Sequence, residues 1–312
     1  MSLAASRLHG LQEMALWPLF RRPRRLRRLL GRAASLALGA ALLIWSLLPT
    51  YNMLLIALDE EGDTEYAGIP WPSAPSVDSF RVVMAGDYWY LEHFWHKFAN
   101  SLFIALATMV LTVLIGSLAS FALGRMRLVR GWLLGNFPVL TYAVPASFLV
   151  IPFYRIMHVY GLSDTLWSVI AANVAFASPY AILILQQYAK LLPKELDEAA
   201  QIDGASPLQV YRRIYLPLTT PALVAVGMFA LLLAWNEYLY QYMLLTSEHK
   251  MTVAVAIAQF FDADEAPWNY MMATAIVYAL PPVAIFFALR RYLLAGLTGG
   301  SVGSTGSLPR QR

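Results

Sequence analysis

The chain has 312 residues, of which 59% are hydrophobic and only 13% are charged. Because soluble domains carry about 25% charged residues, this composition excludes an ordinary soluble protein and predicts a protein that crosses a membrane several times. The absence of cysteine excludes thiol catalysis, disulfides and cysteine-based metal sites. The net charge of +4 is small, so the distribution of charge along the chain is more informative than its total.

The first segment, residues 1–32, is strongly basic. A run of this kind can bind nucleic acid, but directly before an apolar stretch it is far more typical of a membrane topology signal, and we predict no nucleic-acid partner. The apolar run that follows is too long for a cleaved signal peptide, and no small-residue cleavage site follows it. Against one acid, Glu13, the segment holds eight arginines: Arg7, Arg21, Arg22, Arg24, Arg25, Arg27, Arg28 and Arg32.

Six apolar stretches follow within residues 33–295, and they predict an all-α membrane protein with six transmembrane helices. Each stretch reaches the roughly 20 residues that a helix needs to cross about 30 Å of hydrocarbon. Prolines interrupt several stretches, which suits a polar pathway or a moving gate, or else simply kinked packing. The predicted spans are residues 33–58, 101–123, 132–151, 167–185, 218–245 and 271–289.

The distribution of lysine and arginine sets the predicted orientation. With the N-terminus in the cytoplasm, 19 of the 23 Lys and Arg residues fall on the cytoplasmic side. The positive-inside rule therefore places both termini and the segment 193–221 in the cytoplasm. Two segments on the other side, residues 59–99 and 246–270, carry many acids. They are either ordinary translocated surface or a docking face for an external binding protein.

A polar segment, residues 193–221, separates the fourth and fifth predicted spans. Its sequence predicts two short helices joined by a tight turn. The residues that indicate this pattern are Pro193 as a first helical residue, Gly204 as a helix stop, Ser206 and Pro207 as a restart, and Pro217 and Pro221 as the close.

Small side chains gather at the end of the first of these helices, where they let another surface approach the backbone. Acidic residues beside them can fix the register by pairing with basic residues of a partner. The alternative is an amphipathic helix in the membrane interface with no partner. The small residues are Ala199, Ala200, Gly204 and Ala205, and the acids are Glu198 and Asp203.

An acidic residue, Glu237, falls within the fifth predicted span. A carboxylate at membrane depth is costly and usually faces protein or a water-filled cavity. Helical spacing places Tyr240 and Gln241 on its stripe, and the aromatic, amide and carboxylate groups around it suit the hydroxyls and faces of a sugar. The alternative is an inter-helix hydrogen bond that fixes packing. The predicted pathway residues are Trp235, Asn236, Glu237, Tyr238 and Gln241.

The polar segment resembles the EAA loop of the membrane subunits of ABC importers. The matching residues are Glu198, Ala199, Ala200, Asp203, Gly204, Ala205, Ile214, Leu216, Pro217 and Pro221. Further matches resemble the carbohydrate-uptake, maltose-type branch: Asn100-Ser101, Gly161-Leu162, Trp235-Asn236-Glu237, and the start of the Gly/Ser-rich segment 296–312, with Gly296, Leu297, Thr298, Gly299 and Gly300. The resemblance extends over about residues 34–304, and the tail departs from the pattern at Gly303 and Ser304.

The resemblance implies a type I ABC importer permease fold in a bacterial inner membrane, surrounded by lipid. It implies a second, homologous permease subunit, two copies of an ATPase that contact the EAA loop and the tail, and a periplasmic or lipid-anchored sugar-binding protein. The chain itself has no phosphate-binding loop, so we predict no enzyme activity and no cofactor in it; the partner ATPase binds ATP and magnesium.

The cargo implied by the resemblance is an oligosaccharide, disaccharide or sugar alcohol. Two alternatives stay open. The first is an ABC permease for glycerol phosphate or another anionic sugar derivative, whose cargo helix termini can bind. The second is an ion-coupled secondary transporter, which is expected to show inverted repeats and several buried charges.

Overall fold

The computed structural model describes residues 24–59, 71–72, 74–125, 137–262 and 267–299. Across these residues the chain is helical, without a strand, and one isolated bridge joins Asp59 to Pro75. The chain divides into two units, residues 1–55 and 56–312. Helix α1, Arg24–Ala57, supplies the described part of the first unit and ends two residues into the second; the hydroxyls of Ser35 and Ser46 each donate to the carbonyl four residues earlier.

The second unit contains ten α-helices in its described residues, joined by short 3₁₀ and π segments. The α-helices are α2 (Asp78–Ala85), α3 (Phe94–Arg125), α4 (Val150–Val159), α5 (Leu166–Leu191), α6 (Glu195–Ile202), α7 (Pro207–Val210), α8 (Leu216–Asn236), α9 (Leu239–Leu244), α10 (Val253–Gln259) and α11 (Trp268–Gly299). The 3₁₀ segments are Trp89–Leu91, Phe137–Ala143, Ala146–Leu149, Glu248–Lys250 and Phe260–Asp262, and the π segment is Tyr211–Tyr215.

Five helices of the described chain are long and apolar enough to cross a membrane, which confirms the prediction of an all-α membrane protein. They are Arg28–Ala57, Phe94–Arg125, Leu166–Leu191, Pro207–Asn236 and Trp268–Tyr292. Three of them contain the second, fourth and sixth predicted spans, and Arg28–Ala57 covers the first except for its last residue, Leu58. The third and fifth predicted spans differ from the structure, and in both cases the polypeptide leaves the α-helical path.

The third predicted span, residues 132–151, is not one continuous α-helix where it is described. Two 3₁₀ segments, Phe137–Ala143 and Ala146–Leu149, precede α4. Pro145 lies between them with φ −58° and ψ 134°, an extended conformation. Proline lacks an amide N–H and disfavours the α conformation of the preceding residue, so an α-helix does not pass through this position. Pro152 lies in the first turn of α4, where no N–H is needed.

The fifth predicted span differs at both ends. Pro217 and Pro221 do not close the polar segment, because the chain runs helically from Pro207 to Asn236 and both prolines lie within α8. The π segment Tyr211–Tyr215 ends two residues before Pro217, and its wider turn accommodates a proline ring that clashes with the carbonyl four residues earlier in a regular α-helix. The predicted C-terminal end of this span, Leu245, is also wrong, because α8 ends at Asn236 and a separate short helix, α9, follows.

Helix α3 packs most extensively against α5 and α8. A Cβ atom at Gly116 would lie 2.8 Å from the Ala181 Cβ, and one at Gly124 would lie 3.3 Å from the Ala189 Cβ. Both contacts join positions 65 residues apart, so α3 and α5 run parallel. Buried α3 residues at every fourth position in line with Gly116 are small: Thr108, Thr112, Gly116 and Ser120. Small residues at this spacing let membrane helices approach closely.

The end of the bundle where α3 begins is held together by polar contacts between loops. Asp164 has a φ of 53° and accepts the backbone N–H groups of Thr246 at 2.9 Å and Ser247 at 3.0 Å. The Lys250 ammonium lies 3.0 Å from the same carboxylate. Burial opposes ionisation of Asp164, but these donors outweigh it and hold its pKa well below the usual aspartate value. The carboxylate therefore stays charged and holds residues 246–250 against the loop that contains Asp164.

Asn100, in α3, also binds the segment around residues 249–251. Its Nδ2 donates to the carbonyls of His249 and Met251, each at 3.0 Å. The hydroxyl of the next residue, Ser101, accepts the N–H of Val253 at 3.1 Å. The Asn100-Ser101 pair thus positions the start of α10, and part of the acidic segment 246–270 is a fixed loop rather than a loose connection.

We expect Gly116→Ala to lower the thermal unfolding temperature of the purified chain in detergent. Alanine improves helix propensity by about 1 kcal/mol, but its methyl group meets Ala181 across the seam. Adding Ala181→Gly removes that contact, so the double variant should recover part of the loss, with a coupling energy of about 1 kcal/mol. Strictly additive effects of the two substitutions would contradict close contact at this position.

Candidate functional site: the α6–α7 loop and the break after α8

The α6–α7 loop, residues 193–215, folds largely as its sequence predicts. Gly204 adopts φ 81°, in the left-handed region, and ends α6 as expected. Ser206 is the N-cap of α7 in a reciprocal capping box with Gln209, and Pro207 is the first helical residue. One detail was wrong: α6 begins at Glu195, so Pro193 precedes the helix instead of opening it.

The patch of small residues predicted in this loop divides between two surfaces. Ala200 and Ala205 pack against a buried cluster beneath the loop, whereas Ala199 and Gly204 are exposed. Glu198 and Asp203 are exposed beside them, and so are the apolar side chains of Ile202, 87% exposed, and Leu208, 60% exposed. The loop therefore exposes a mixed apolar and acidic face, while Ala200 and Ala205 pack it against the bundle.

Two tyrosines attach the loop to α3. The Tyr211 hydroxyl lies 2.8 Å from Ser117 Oγ, and the Tyr215 hydroxyl lies 2.8 Å from Ser120 Oγ. The ring of Phe121 packs edge-on against both tyrosine rings, with centroids 5.3 Å and 5.2 Å apart. The sequence analysis did not predict these pairs. The two serines, three residues apart, and the two tyrosines, four apart, each lie on one face of a helix, but nothing in the sequence joins the two faces.

Arg125, the last residue of α3, attaches the loop on its other side. Its Nε lies 2.8 Å from Asp197 Oδ2, and its Nη2 donates to Asp197 Oδ1 at 3.3 Å. Its remaining donors reach the carbonyls of Leu192 at 3.0 Å and Pro193 at 3.2 Å. Burial raises the pKa of the Asp197 carboxyl, and the adjacent guanidinium opposes that rise. The sequence analysis counted Arg125 only as a topology signal.

A groove flanks α6 on each side. One has a volume of about 620 Å³, and its lining includes Arg125, Lys194 and Glu198. The other has a volume of about 370 Å³, and its lining includes Asp203 and Arg213. Both grooves have charged and apolar side chains in their lining.

The break after α8 forms the second part of the site. Glu237 is extended, with φ −71° and ψ 127°, instead of helical. Its carboxylate accepts the N–H of Tyr240 at 2.7 Å and that of Gln241 at 3.1 Å, which are donors that the first turn of α9 leaves free. The prediction of one continuous helical stripe through Glu237, Tyr240 and Gln241 is therefore wrong in its geometry.

The predicted pathway residues fall into buried and exposed groups. Trp235 is 2% exposed, stacks on Tyr278 and accepts its hydroxyl at the backbone carbonyl. Gln241 is 1% exposed and bridges the break through the carbonyls of Ala234 and Glu237 and the Thr252 hydroxyl. Both therefore hold the break together. By contrast, Asn236 and Tyr238 are exposed, and Glu237 is half-buried.

The remaining predicted residues lie at the end of α11. Gly296, Leu297, Thr298 and Gly299 form its last turn, and Gly300 lies outside the described residues, as does most of the basic segment 1–32. No group of three His, Asp or Glu residues with metal-binding proximity occurs in the part of the chain that the structure describes.

The fold and the site together define a polytopic helical membrane protein with a structured polar loop between two spans. Residues 112–299 match the family model described as "Binding-protein-dependent transport system inner membrane component". This match covers more than half of the chain, and the chain therefore belongs to this family. The resemblance to ABC importer permeases stated from the sequence is confirmed.

Several relatives span most of the chain. The inner membrane ABC transporter permease protein YcjP of Escherichia coli is 31% identical over 84% of this chain and 93% of its own. The trehalose transport system permease protein SugB of Mycobacterium tuberculosis is 33% identical over 74% of this chain and 83% of its own. The trehalose/maltose transport system permease protein MalG of Thermococcus litoralis is 31% identical over 86% of this chain and 95% of its own.

A solved structure shares the fold. A chain of a bacterial ABC transporter involved in the import of the acidic polysaccharide alginate aligns with a TM-score of 0.71 and 20% identity. The alignment covers 86% of this chain and 98% of that one. This similarity confirms the ABC importer permease fold.

We expect Glu237→Ala to lower the free energy of unfolding by about 1 kcal/mol, because α9 loses the carboxylate that caps its first turn. Glu237→Gln keeps one acceptor oxygen and should lose less. Thermal unfolding of both purified variants in detergent measures this difference. Equal stability of both variants and the unchanged protein would contradict the capping role and favour contact with a transported molecule.

Proposed function

We propose that this chain is a membrane-spanning permease subunit of an ATP-driven importer that moves a sugar into the cytoplasm. The observation that carries the proposal is the α6–α7 loop, whose exposed acidic and apolar face is attached to α3 and α5 by Arg125, Tyr211 and Tyr215. A loop that is exposed on one side and fixed to two spans on the other can transmit a displacement into the membrane.

The proposed partners divide the work. Two copies of an ATPase subunit bind ATP and magnesium and receive the exposed face of α6. A homologous second permease completes the pathway, and an external binding protein delivers the sugar. The predicted orientation, with both termini in the cytoplasm, places α6 on the ATPase side. ATP binding closes the ATPases and switches the pathway from inward-open to outward-open, and the sugar is released inward after hydrolysis.

The proposed cargo is an uncharged sugar, such as a disaccharide or oligosaccharide. Relatives over 30% identical are named for trehalose and maltose transport, which supports this class. At the break after α8, the exposed Asn236 amide and Tyr238 ring offer groups that bind sugar hydroxyls and sugar faces. An anionic sugar derivative is the closest alternative, and an ion-coupled transporter is the alternative from another class.

We expect Glu198→Arg to separate ATP hydrolysis from transport in the assembled complex. Reversing the charge on the exposed face of α6 places a cation against whatever basic group of the ATPase pairs with Glu198. Sugar uptake into proteoliposomes should fall about tenfold or more while the variant still inserts into the membrane. The exposed Glu92 precedes α3 at the other end of the bundle, so Glu92→Arg is the matched control.

Normal uptake by Glu198→Arg would remove the coupling role of the loop. An equal loss in Glu92→Arg would show that the effect is not specific to α6. Uptake that needs an ion gradient and not ATP would instead support the secondary transporter.

We expect Asn236→Ala to weaken sugar-dependent uptake more than assembly. The Asn236 amide is exposed and donates to the Leu232 carbonyl at 2.8 Å within its own helix, so its loss should disturb packing little. Initial uptake rates across a range of sugar concentrations measure the effect. The control is Leu232→Ala, one turn earlier on α8. Unchanged rates for Asn236→Ala, or the same loss in both variants, would remove Asn236 from the pathway.

A further inference from the structure

Helix α6 has little apolar contact of its own with the bundle. Asp197 is its single buried residue, whereas Leu196 is 42% exposed and Ile202 is 87% exposed. Ala200 adds a half-buried contact with the cluster beneath the loop. A helix of eight residues is too short to be stable alone, so its position must come from tertiary contacts. The contact of Asp197 with Arg125 is the strongest polar one described for α6.

Arg125 joins three elements at one point. Its side chain is 3% exposed and belongs to the last turn of α3. Two of its bonds go to the carbonyls of Leu192 and Pro193, just past the end of α5, where a helix leaves its last carbonyls without partners. A third, from Nη2, goes to the Asp197 carboxylate on α6, whose Oδ2 also lies 2.8 Å from Nε. A planar guanidinium satisfies all these acceptors together, which a lysine ammonium cannot do with the same geometry.

The second attachment of the loop lies beyond Gly204. Tyr211 and Tyr215 fix α7 and the π segment to α3, and the left-handed Gly204 separates them from α6. Glycine permits rotation at such a joint. Without the ion pair, α6 would keep its peptide connections and the contact of Ala200, but no charged anchor.

We propose that Arg125 and Asp197 are a positioning pair that makes α6 move as one body with the ends of α3 and α5. The inference rests on the proposed coupling function, since it specifies how a displacement of α6 reaches the membrane helices. Both side chains are largely buried, 3% exposed for Arg125 and 12% for Asp197, so we assign them the role of holding α6. A buried pair that loses one member leaves a charge without compensation, and the helix must shift to hydrate it.

The absence of cysteine in the natural chain allows a direct test in the full assembled transporter. Gln201→Cys on α6 and Leu118→Cys on α3 introduce two exposed labelling sites. Pulsed electron resonance between spin labels at these sites measures the distribution of their distances. ATP hydrolysis and sugar uptake, measured on proteoliposomes of the same Arg125 variants without the introduced cysteines, give the number of sugars moved per ATP.

We expect Arg125→Met to broaden the distance distribution and to lower the number of sugars moved per ATP about tenfold. Arg125→Lys should give an intermediate result, because it keeps the charge and loses the two-nitrogen contact. The exchanged pair, Arg125→Asp with Asp197→Arg, should narrow the distribution again and recover part of the coupling. The matched control is Arg155→Met, which removes an exposed arginine from α4.

The outcomes separate this inference from the proposed function. An unchanged distance distribution in Arg125→Met would overturn the positioning pair even if Glu198→Arg uncouples transport. A broadened distribution together with normal uptake in Glu198→Arg would support the pair as an anchor and reject the coupling function. If Arg125→Met does not insert, Asp197→Asn, which keeps the shape and removes the charge, replaces it in the experiment. A loss of coupling that the exchanged pair does not recover would count against the inference.

Discussion

Every backbone donor and acceptor within hydrocarbon needs a partner inside the protein, and this constraint governs the whole chain. Regular helices meet it without help, so the points where the helix stops need specific side chains. At the break after α8, the Glu237 carboxylate takes two free N–H groups, and Gln241 takes the free carbonyls. The irregular backbone there persists because these groups replace the hydrogen bonds that the helix lost.

Helix α3 connects both ends of the bundle. At its start, Asn100 holds the segment around Met251, and at its end Arg125 holds α6. Between them, small residues such as Gly116 bring α5 close enough that one helix cannot slide freely along the other. A closely packed element with specific contacts at each end is a physical route by which two distant surfaces can influence each other.

Much of the site was predictable because its determinants are local. A glycine that tolerates a left-handed turn and a serine that caps a helix depend on neighbouring residues, so Gly204 and Ser206 act as the sequence predicts. The length of apolar stretches likewise reflects membrane thickness, and the second, fourth and sixth predicted spans lie within observed helices. The break at Glu237 could not be predicted, since an acid within an apolar run fits a buried helical position as well as a cap.

The sequence alone determined an all-helical membrane protein with a structured polar segment, because composition, helix length and turn chemistry act over short distances. The resemblance of that segment to the EAA loop then indicated the ABC importer permeases. Only the tertiary structure decided which side chains hold that loop in place. Arg125 and Asp197 are 72 residues apart, and the serine–tyrosine pairs are separated by more than 90. Such contacts depend on which helices lie side by side and in what register, and no local pattern specifies that arrangement.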